Sequence, residues 1–293
     1  MKDVSIIIVN YNTLDVTLNC IDSIFRHTKK LDFEVIVVDN ASTDGSAEVL
    51  SKDSRIRFVK SDVNRGFGNA NNLGYQFASG KYIFLLNSDT LLLNNAIKFL
   101  YDAFETLPNG DVACLGCILL AKNGMEKIHS YGEFPSLSNM FLSLCRTYLR
   151  LSQKKKRIGS VPFYVDYITG ADLFIKKSLI DKLGFFDTDF FMYYEETELQ
   201  YRYNKAGYKS MIIPTGPQII HLEGGSSAVS GLQNKRPKYW SMYFHGMFTY
   251  MRKRYNIILY LFFRLLAFGY MPLIVRKYTK KTDKMEIVKI FMQ

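Results

Sequence analysis

Two stretches far apart in the chain carry residue types suited to chemistry at phosphate. Asn87-Ser88-Asp89 follows the apolar run Tyr82–Leu86, and His221 follows the apolar pair Ile219-Ile220. A carboxylate at a strand end suits a hard cation such as Mg²⁺ or Mn²⁺ and, through it, a phosphate. The histidine matters only if the fold brings it to Asp89. A third stretch, Tyr194-Glu195-Glu196-Thr197-Glu198, sets three carboxylates within four residues. Like charges that close raise some of their pKa values, which suits a general base. The same glutamates also suit a helix N-terminus through its dipole, so spacing alone leaves both readings open.

The elements that must position these residues are legible from hydrophobic patterning. Val4–Val9 is a β-branched apolar run ending in Asn10-Tyr11-Asn12-Thr13, and Phe33–Val38 is a second, ending in Asp39. Ile56–Val59 is a third short strand, and Tyr82–Leu86 reads as a strand buried on both faces, as in a parallel sheet. Helical spacing falls between them: Leu14, Leu18, Ile21 and Phe25 lie on one side of a helix, and Ala47–Leu50 is capped by a polar turn. Asn64–Asn72 is a Gly/Asn-rich loop leading into a helix over Leu73–Ala78. This alternation predicts an α/β fold with a doubly wound, mainly parallel sheet flanked by helices. Ligands of such sheets sit outside the carboxyl ends of the strands, where Asn10, Asp39 and Asp89 would stand.

Beyond these, helices are expected over Ile97–Phe104, Met140–Leu149 and Glu196–Ala206, and strands over Val112–Leu120 and Ser210–Ile213. Val165–Ile175 reads as one bent strand with Gly170 at its middle, where glycine permits close backbone approach to a ligand. A dinucleotide fold is disfavoured, because its glycine-rich turn belongs directly after the first strand, where Asn10-Tyr11-Asn12 stands. No GxxxxGK[ST] motif is present, so P-loop chemistry is unsupported.

The chain carries 38 Lys and Arg against 27 Asp and Glu, a formal charge of +11, which calls for an anionic partner. Nucleic acid is disfavoured as that partner, because the basic residues concentrate in the tail beside an apolar stretch rather than beside a base-stacking motif. Between Arg252 and Lys281 lie eight basic residues and no acidic one, around the apolar and aromatic segment Tyr255–Val275. A bilayer span needs about 20 apolar residues. This segment is long enough, yet it carries Arg264 near its centre and Pro272, so a helix lying in or dipping into an anionic membrane face is favoured over a span. Packing on the domain or on a partner chain is the alternative. The basic run Lys154-Lys155-Lys156-Arg157 reads as a solvated loop. Four cysteines give no disulfide framework, and Cys114 and Cys117 read as buried thiols in a reducing compartment. Met1-Lys2-Asp3-Val4 leads into a strand, so no signal peptide is expected.

Taken together, the stretches VSIIIVNYNT, VIVVDNASTDGS, NRGFGNANNLG, YIFLLNSDT, ITGADLFIKK, GFFDTDFFMYYEETELQYR and HLEGGSS resemble, in order, the inverting GT-A glycosyltransferases of family 2. The likeness is greatest to the bacterial rhamnosyltransferase-like branch that builds cell-surface polysaccharide. It covers roughly residues 4 to 230. The resemblance implies a GT-A domain over 1–240, with a nucleotide-sugar half (1–110) and an acceptor-binding half (111–240), and a helical membrane-associating extension over 241–293. It implies a nucleotide-diphosphate sugar donor, UDP- or dTDP-linked, a divalent cation (Mg²⁺ or Mn²⁺), and a saccharide or lipid-linked saccharide acceptor. Asn10, Asp39, Arg65, Asn72, Asn87, Ser88 and Gly170 would line the donor site, with Asp89 and His221 as metal ligands. Glu196 takes the place of the family's usual aspartate base, and Glu195 and Glu198 compete for the role. The aromatics Phe190, Phe191, Tyr193 and Tyr194 would stack on acceptor sugars or pack in the core. The expected location is cytoplasmic, peripheral to the inner face of the cell membrane, and a homo-oligomer is left open. The alternatives are a nucleotidyltransferase, which would need a glycine-rich basic loop after the first strand, and a non-enzymatic protein that binds anionic ligands or membranes.

Overall fold

The computed structural model describes residues 2–107, 110–128, 130–149, 159–222, 237–276 and 281–292. The basic run at 154–157 and most of the HLEGGSS segment lie outside the described residues.

The first half alternates strand and helix as its hydrophobic pattern requires. It runs β1 (Val4–Asn10), α1 (Leu14–His27), β2 (Phe33–Asn40), α2 (Ser46–Leu50), β3 (Arg57–Ser61), α3 (Phe67–Tyr75), β4 (Tyr82–Leu86), β5 (Thr90–Leu92) and α4 (Ala96–Thr106). The second half continues with β6 (Val112–Cys117), β7 (Leu119–Leu120), β8 (Lys127–Ile128), β9 (Tyr131–Gly132), α5 (Leu137–Tyr148), β10 (Phe163–Val165), β11 (Tyr167–Ile168), β12 (Asp172–Lys176) and α6 (Lys177–Leu183). It then gives α7 (Glu195–Lys205), β13 (Lys209–Ile213) and β14 (Ile219–His221). Among the described residues four C-terminal helices follow: α8 (Pro237–Arg254), α9 (Ile257–Phe268), α10 (Met271–Val275) and α11 (Lys281–Met292).

Eight strands form the main sheet in the order β10-β13-β6-β12-β4-β1-β2-β3. Strands β3, β2, β1 and β4 are parallel, as are β13 and β6, while β12 and the edge strand β10 run antiparallel to their neighbours. The apolar runs are buried on both faces. Val4, Ile6 and Ile8 of β1 enter one core with α1 and α4, and Ile7 enters the other with α3 and α7. This double burial is why β1, β2 and β4 read as continuous apolar runs rather than alternating ones.

Two expectations about elements are corrected. Val165–Ile175 is not one bent strand: β11 pairs with β9 in a small sheet, and β12 enters the main sheet between β4 and β6. The turn Thr169-Gly170-Ala171 separates them, with the Thr169 N–H donating to Ser130 O at 2.9 Å. Val112–Leu120 also divides, since β7 leaves the main sheet to pair with β14 and β8. Helix α8 starts at Pro237, a residue suited to the first helical turn, and runs across residues 240 and 241. Cys114 and Cys117 are buried free thiols on β6, as their apolar setting implied.

The C-terminal helices form a third core, and that core includes the segment that leads into α7. Phe190 is fully buried among Phe244, Met247, Phe248, Tyr250 and Phe263. Tyr194 donates or accepts a hydrogen bond with Tyr243 between hydroxyls at 2.9 Å. Tyr193 and Tyr194 both adopt left-handed backbone, each at φ 70°. For a non-glycine residue that conformation costs about 1–2 kcal/mol and persists only where the surroundings fix it. Here α8 packs so closely that a Cβ on Gly246 would lie 2.4 Å from Tyr193 O.

Candidate active site

Asn10 and Asp39 are register partners at the carboxyl ends of β1 and β2, and both are fully buried. Asn10 Nδ2 donates to Asp39 Oδ1 at 2.8 Å, and Asn10 Oδ1 accepts from the hydroxyls of Thr13 and Thr17 at 2.9 and 2.8 Å. Asp39 Oδ2 accepts the Ser42 N–H at 3.2 Å. The Asn10 side chain is thus a bracket that fixes Asp39, so Asn10 would face a ligand with its backbone. Next to Asp39, Asn40 holds the loop before α3. Its Oδ1 accepts the Arg65 N–H at 3.1 Å, and its Nδ2 donates to Asn64 Oδ1 and Gly66 O at 3.1 and 3.2 Å. The Arg65 side chain above this clasp is exposed. Sequence reading passed over Asn40, because a polar residue after a strand end looks like any turn residue.

The end of β4 meets β14. Asn87 N–H donates to Ala171 O at 3.1 Å, and Thr90 of β5 is the register partner of His221. The Leu222 N–H donates to Asp89 O at 2.9 Å. This pairing brings His221 Nε2 to 3.2 Å from Asp89 Oδ1 and 3.4 Å from Asn87 Nδ2. Ser88 is buried, its Oγ 3.3 Å from Thr13 Oγ1, which ties this turn to the start of α1. The Asp89 side chain is 2% exposed and that of His221 19% exposed. A buried carboxylate beside a partly open imidazole is a donor pair that fits a divalent cation. Among the described residues no cluster of three or more His, Cys, Asp or Glu side chains could hold a metal, so Asp89 and His221 would hold a cation here as a pair.

Asp172 is a buried carboxylate beside this pair that sequence reading did not single out. Its Oδ2 accepts the Cys117 N–H at 2.6 Å, and burial pushes its pKa up to about 7. Within a run read as strand, its alternation gave no sign that the acid pointed inward.

The three glutamates have three different surroundings. Glu198 is bound by Arg202 through two contacts, Nε to Oε1 at 3.1 Å and Nη2 to Oε2 at 3.0 Å. Arg202 also donates to the carbonyls of Leu183, Gly184 and Phe185, so this pair ties α7 to the loop after α6. Glu198→Gln is expected to lower stability by about 1–2 kcal/mol while transfer is retained, since it weakens a charge-assisted pair that fixes a loop. A thermal melt set beside a transfer assay checks this, and loss of transfer without loss of stability would contradict it.

Glu195 is buried against α3, its Cβ within 3.5 Å of the Cβ position of Gly68, and burial with the neighbouring Glu196 charge holds its carboxyl well above the usual range. Glu196 is only partly buried as a residue, and the backbone N–H groups of Gly170 and Thr197 lie where they favour its charged form. Burial of its carboxyl outweighs these donors and raises its pKa. Both glutamates carry one buried oxygen, Oε2, with no hydrogen-bond partner among the described residues. Gln200 fixes α7 beneath them: its Nε2 donates to Ile168 O and Glu196 O at 2.7 and 3.0 Å, and its Oε1 accepts from Ile168 N–H at 2.9 Å.

Two expected donor-site residues are placed otherwise. Asn72 is engaged at both ends by the Phe186 backbone, Nδ2 to O at 2.8 Å and Oδ1 from N–H at 3.1 Å, so it clamps α3 to the loop before α7. At Gly170 a Cβ would lie 2.9 Å from the Phe67 ring, and its N–H faces Glu196, so the close approach is to a side chain of the same protein. The aromatic expectation divides. Phe190 is core and Tyr194 is packed against Tyr243 and Tyr250, whereas Phe191 is 41% exposed.

This sheet, with polar strand ends converging on Asp89 and His221, is a GT-A architecture. It superposes on a mannosyltransferase of Pyrobaculum calidifontis, solved with GDP-Man and Mn²⁺, at a TM-score of 0.55 and 19% identity, over 83% of this chain and 65% of that one. It likewise superposes on a GalNAc-T7 structure solved with UDP, GalNAc and Mn²⁺, at a TM-score of 0.55 and 16% identity, over 82% of this chain and 50% of that one. Residues 5–184 match the model of Glycosyl transferase family 2, and the chain belongs to that family. Relatives include a low-salt glycan biosynthesis hexosyltransferase of Haloferax volcanii, 26% identical over 69% of this chain and 62% of its own length. A poly-beta-1,6-N-acetyl-D-glucosamine synthase of Staphylococcus epidermidis is 24% identical over 64% of this chain and 43% of its own length. A glycosyltransferase of Streptococcus pneumoniae is 32% identical over 35% of each chain. The chain thus covers less than two thirds of the length of each of these three relatives.

Proposed function

We propose that the protein is an inverting glycosyltransferase that moves a sugar from a nucleotide-diphosphate sugar to a hydroxyl of a saccharide or lipid-linked saccharide in cell-surface polysaccharide synthesis. The observation that carries this reading is the convergence of Asp89 and His221, with Asn87 beside His221, just after the end of β4. The relatives' glycan-building names and the nucleotide sugars in the superposed structures support the substrate class. The rhamnosyltransferase-like assignment rests on the resemblance of the seven stretches, which the Asn87-Ser88-Asp89 form of the motif fits, and a hexosyl or deoxyhexosyl donor is part of that reading.

Asp39 and Arg65 would hold the base and ribose, and Asn87 a ribose hydroxyl, through hydrogen bonds that fix the donor's orientation. Asp89 and His221 would hold a divalent cation, which when bound supplies positive charge beside the leaving diphosphate. Glu196 would take the proton from the acceptor hydroxyl while that oxygen attacks the anomeric carbon. The bond to the diphosphate breaks in the same displacement and its electron pair leaves on the diphosphate oxygen, which inverts the configuration. Glu196 is preferred because Glu198 is held by Arg202 and Glu195 is buried under α3. The exposed, apolar α9 and the basic C-terminal residues support an enzyme lying on an anionic membrane face, and the reading places it on the cytoplasmic side.

A mass-spectrometric screen of UDP- and dTDP-sugars with a divalent cation tests this reading. Hydrolysis of one donor to its sugar and nucleoside diphosphate is expected. Neither binding nor hydrolysis of any nucleotide sugar would overturn it.

A further inference from the structure

The segment from Arg252 to Lys281 is uniformly basic, yet its cations do different things. Lys253 lies between two carboxylates, 2.8 Å from Asp187 and 2.7 Å from Asp189. Arg254 turns inward over the ring of Tyr201 at 4.5 Å and donates to the Pro135 carbonyl. Arg264, the charge that interrupts the apolar segment, also turns inward. Its guanidinium stacks on Phe248 at 4.3 Å and donates to Phe291 O at 2.9 Å. The outward face of α9 is therefore apolar, with Ile257, Ile258, Leu261, Phe262 and Leu265 each more than half exposed.

Helix α5 lies alongside α9. Leu137 N–H meets Tyr255 Oη at 3.4 Å near the start of both helices, and Tyr148 Oη donates to Gly269 O at 2.8 Å near their ends. It adds exposed Phe141 and Leu149 to the apolar surface. A helix with one face packed on protein and the other bare over its whole length suits lying in an interface rather than crossing it.

A cleft of about 470 Å³ opens between α8, α9 and α11 and is lined by Arg252, Arg264, His245, Ser241 and Thr249. Asp189 also lines it, with its carboxylate on Lys253. Neither Arg252 nor Arg264 forms an ion pair among the described residues, and Arg252 is exposed. The two arginines give the cleft a positive excess, and Ser241 and Thr249 add hydroxyls to its lining. Tyr260 and Arg264 place one of its walls on α9 itself.

We propose that this cleft binds the phosphate headgroup of an anionic lipid while the exposed faces of α5 and α9 rest in the same leaflet. The charge of the cleft and its position on the apolar helix select that occupant. Guanidinium groups suit phosphate oxygens, and basic pockets beside membrane-embedded helices suit anionic headgroups. The proposal rests on the reading of the C-terminal helices as membrane-facing, and it needs no particular donor or acceptor.

The test is co-sedimentation of the full chain with vesicles of phosphatidylcholine alone and with vesicles that include phosphatidylglycerol. Tighter binding to the anionic vesicles is expected. Arg252→Gln should weaken that binding about fivefold, as loss of one surface-facing cation implies, and leave binding to phosphatidylcholine unchanged. Arg252→Lys should restore most of it. Inorganic phosphate should not displace the protein, and displacement would point to a free-phosphate site and overturn the lipid assignment. Equal binding to both vesicles, or an Arg252→Gln variant that binds anionic vesicles like the parent, would overturn the proposal. Nucleotide-sugar hydrolysis measured in solution on the same samples separates these outcomes from failure of the enzymatic reading.

Discussion

Glu196→Gln is expected to bind nucleotide sugar with unchanged affinity and to transfer its sugar about 10²–10⁴ times more slowly, the usual contribution of a positioned base. The amide keeps the size of the side chain and can still meet the N–H groups only through its carbonyl oxygen, but it cannot accept the acceptor's proton. Calorimetric donor titration beside a transfer assay separates the two effects. A variant that transfers normally, with Glu195→Gln inactive instead, would move the base one residue earlier. The pH profile gives a second measure. A base works deprotonated, and burial raises the Glu196 carboxyl above its ordinary value. The acid limb of kcat/KM should therefore lie above the usual glutamate value of about 4.3. Activity should rise with pH through that limb, and Glu196→Gln should abolish the limb.

Chelation of divalent cations is expected to stop transfer, and Asp89→Ala is expected to lower it by at least about a hundredfold, the scale on which a missing electrostatic contact to a leaving group is felt. Asp89 is the more telling of the two ligands because its side chain is buried just after the end of β4, 3.2 Å from His221. His221→Ala should reproduce the loss more weakly, since its ring is partly open and phosphate oxygens can replace it. Restored activity on adding Mn²⁺ or Mg²⁺ to the chelated parent protein, but not to Asp89→Ala, is the expected pattern. Full turnover in excess chelator would remove the metal role from both residues.

Much of the first half was legible because its physics is local. Strands β1, β2 and β4 are buried on both faces, so each is a continuous apolar run whose end is marked by the first polar residue. Asn10, Asp39 and Asp89 stand at or just after those ends for that reason. The second half was less legible. Residues 165–175 look continuous, but the two sides of Gly170 satisfy their backbone groups in different sheets. Asn72 looks like a ligand contact in a polar loop, yet the partner of both its amide atoms is Phe186, a residue of a distant loop. The burial of Phe190 and Tyr194 depends on α8, whose approach no local pattern announces.

The sequence by itself determined the strand ends, the residue types at them and the apolar C-terminal segment, because burial and periodicity are written in neighbouring residues. The tertiary structure decided which of those residues meet. His221 reaches Asp89 only because β14 pairs antiparallel with β5. Arg202 holds Glu198 in place because the carbonyls of the distant Leu183 loop fix its guanidinium. Along the sequence Arg264 is a charge in an apolar segment, whereas in the fold the ring of Phe248 and the carbonyl of Phe291 take it up on the inward side. Each of these is a contact between segments distant in the chain, or a choice of helix face, and spacing along one strand or helix fixes neither.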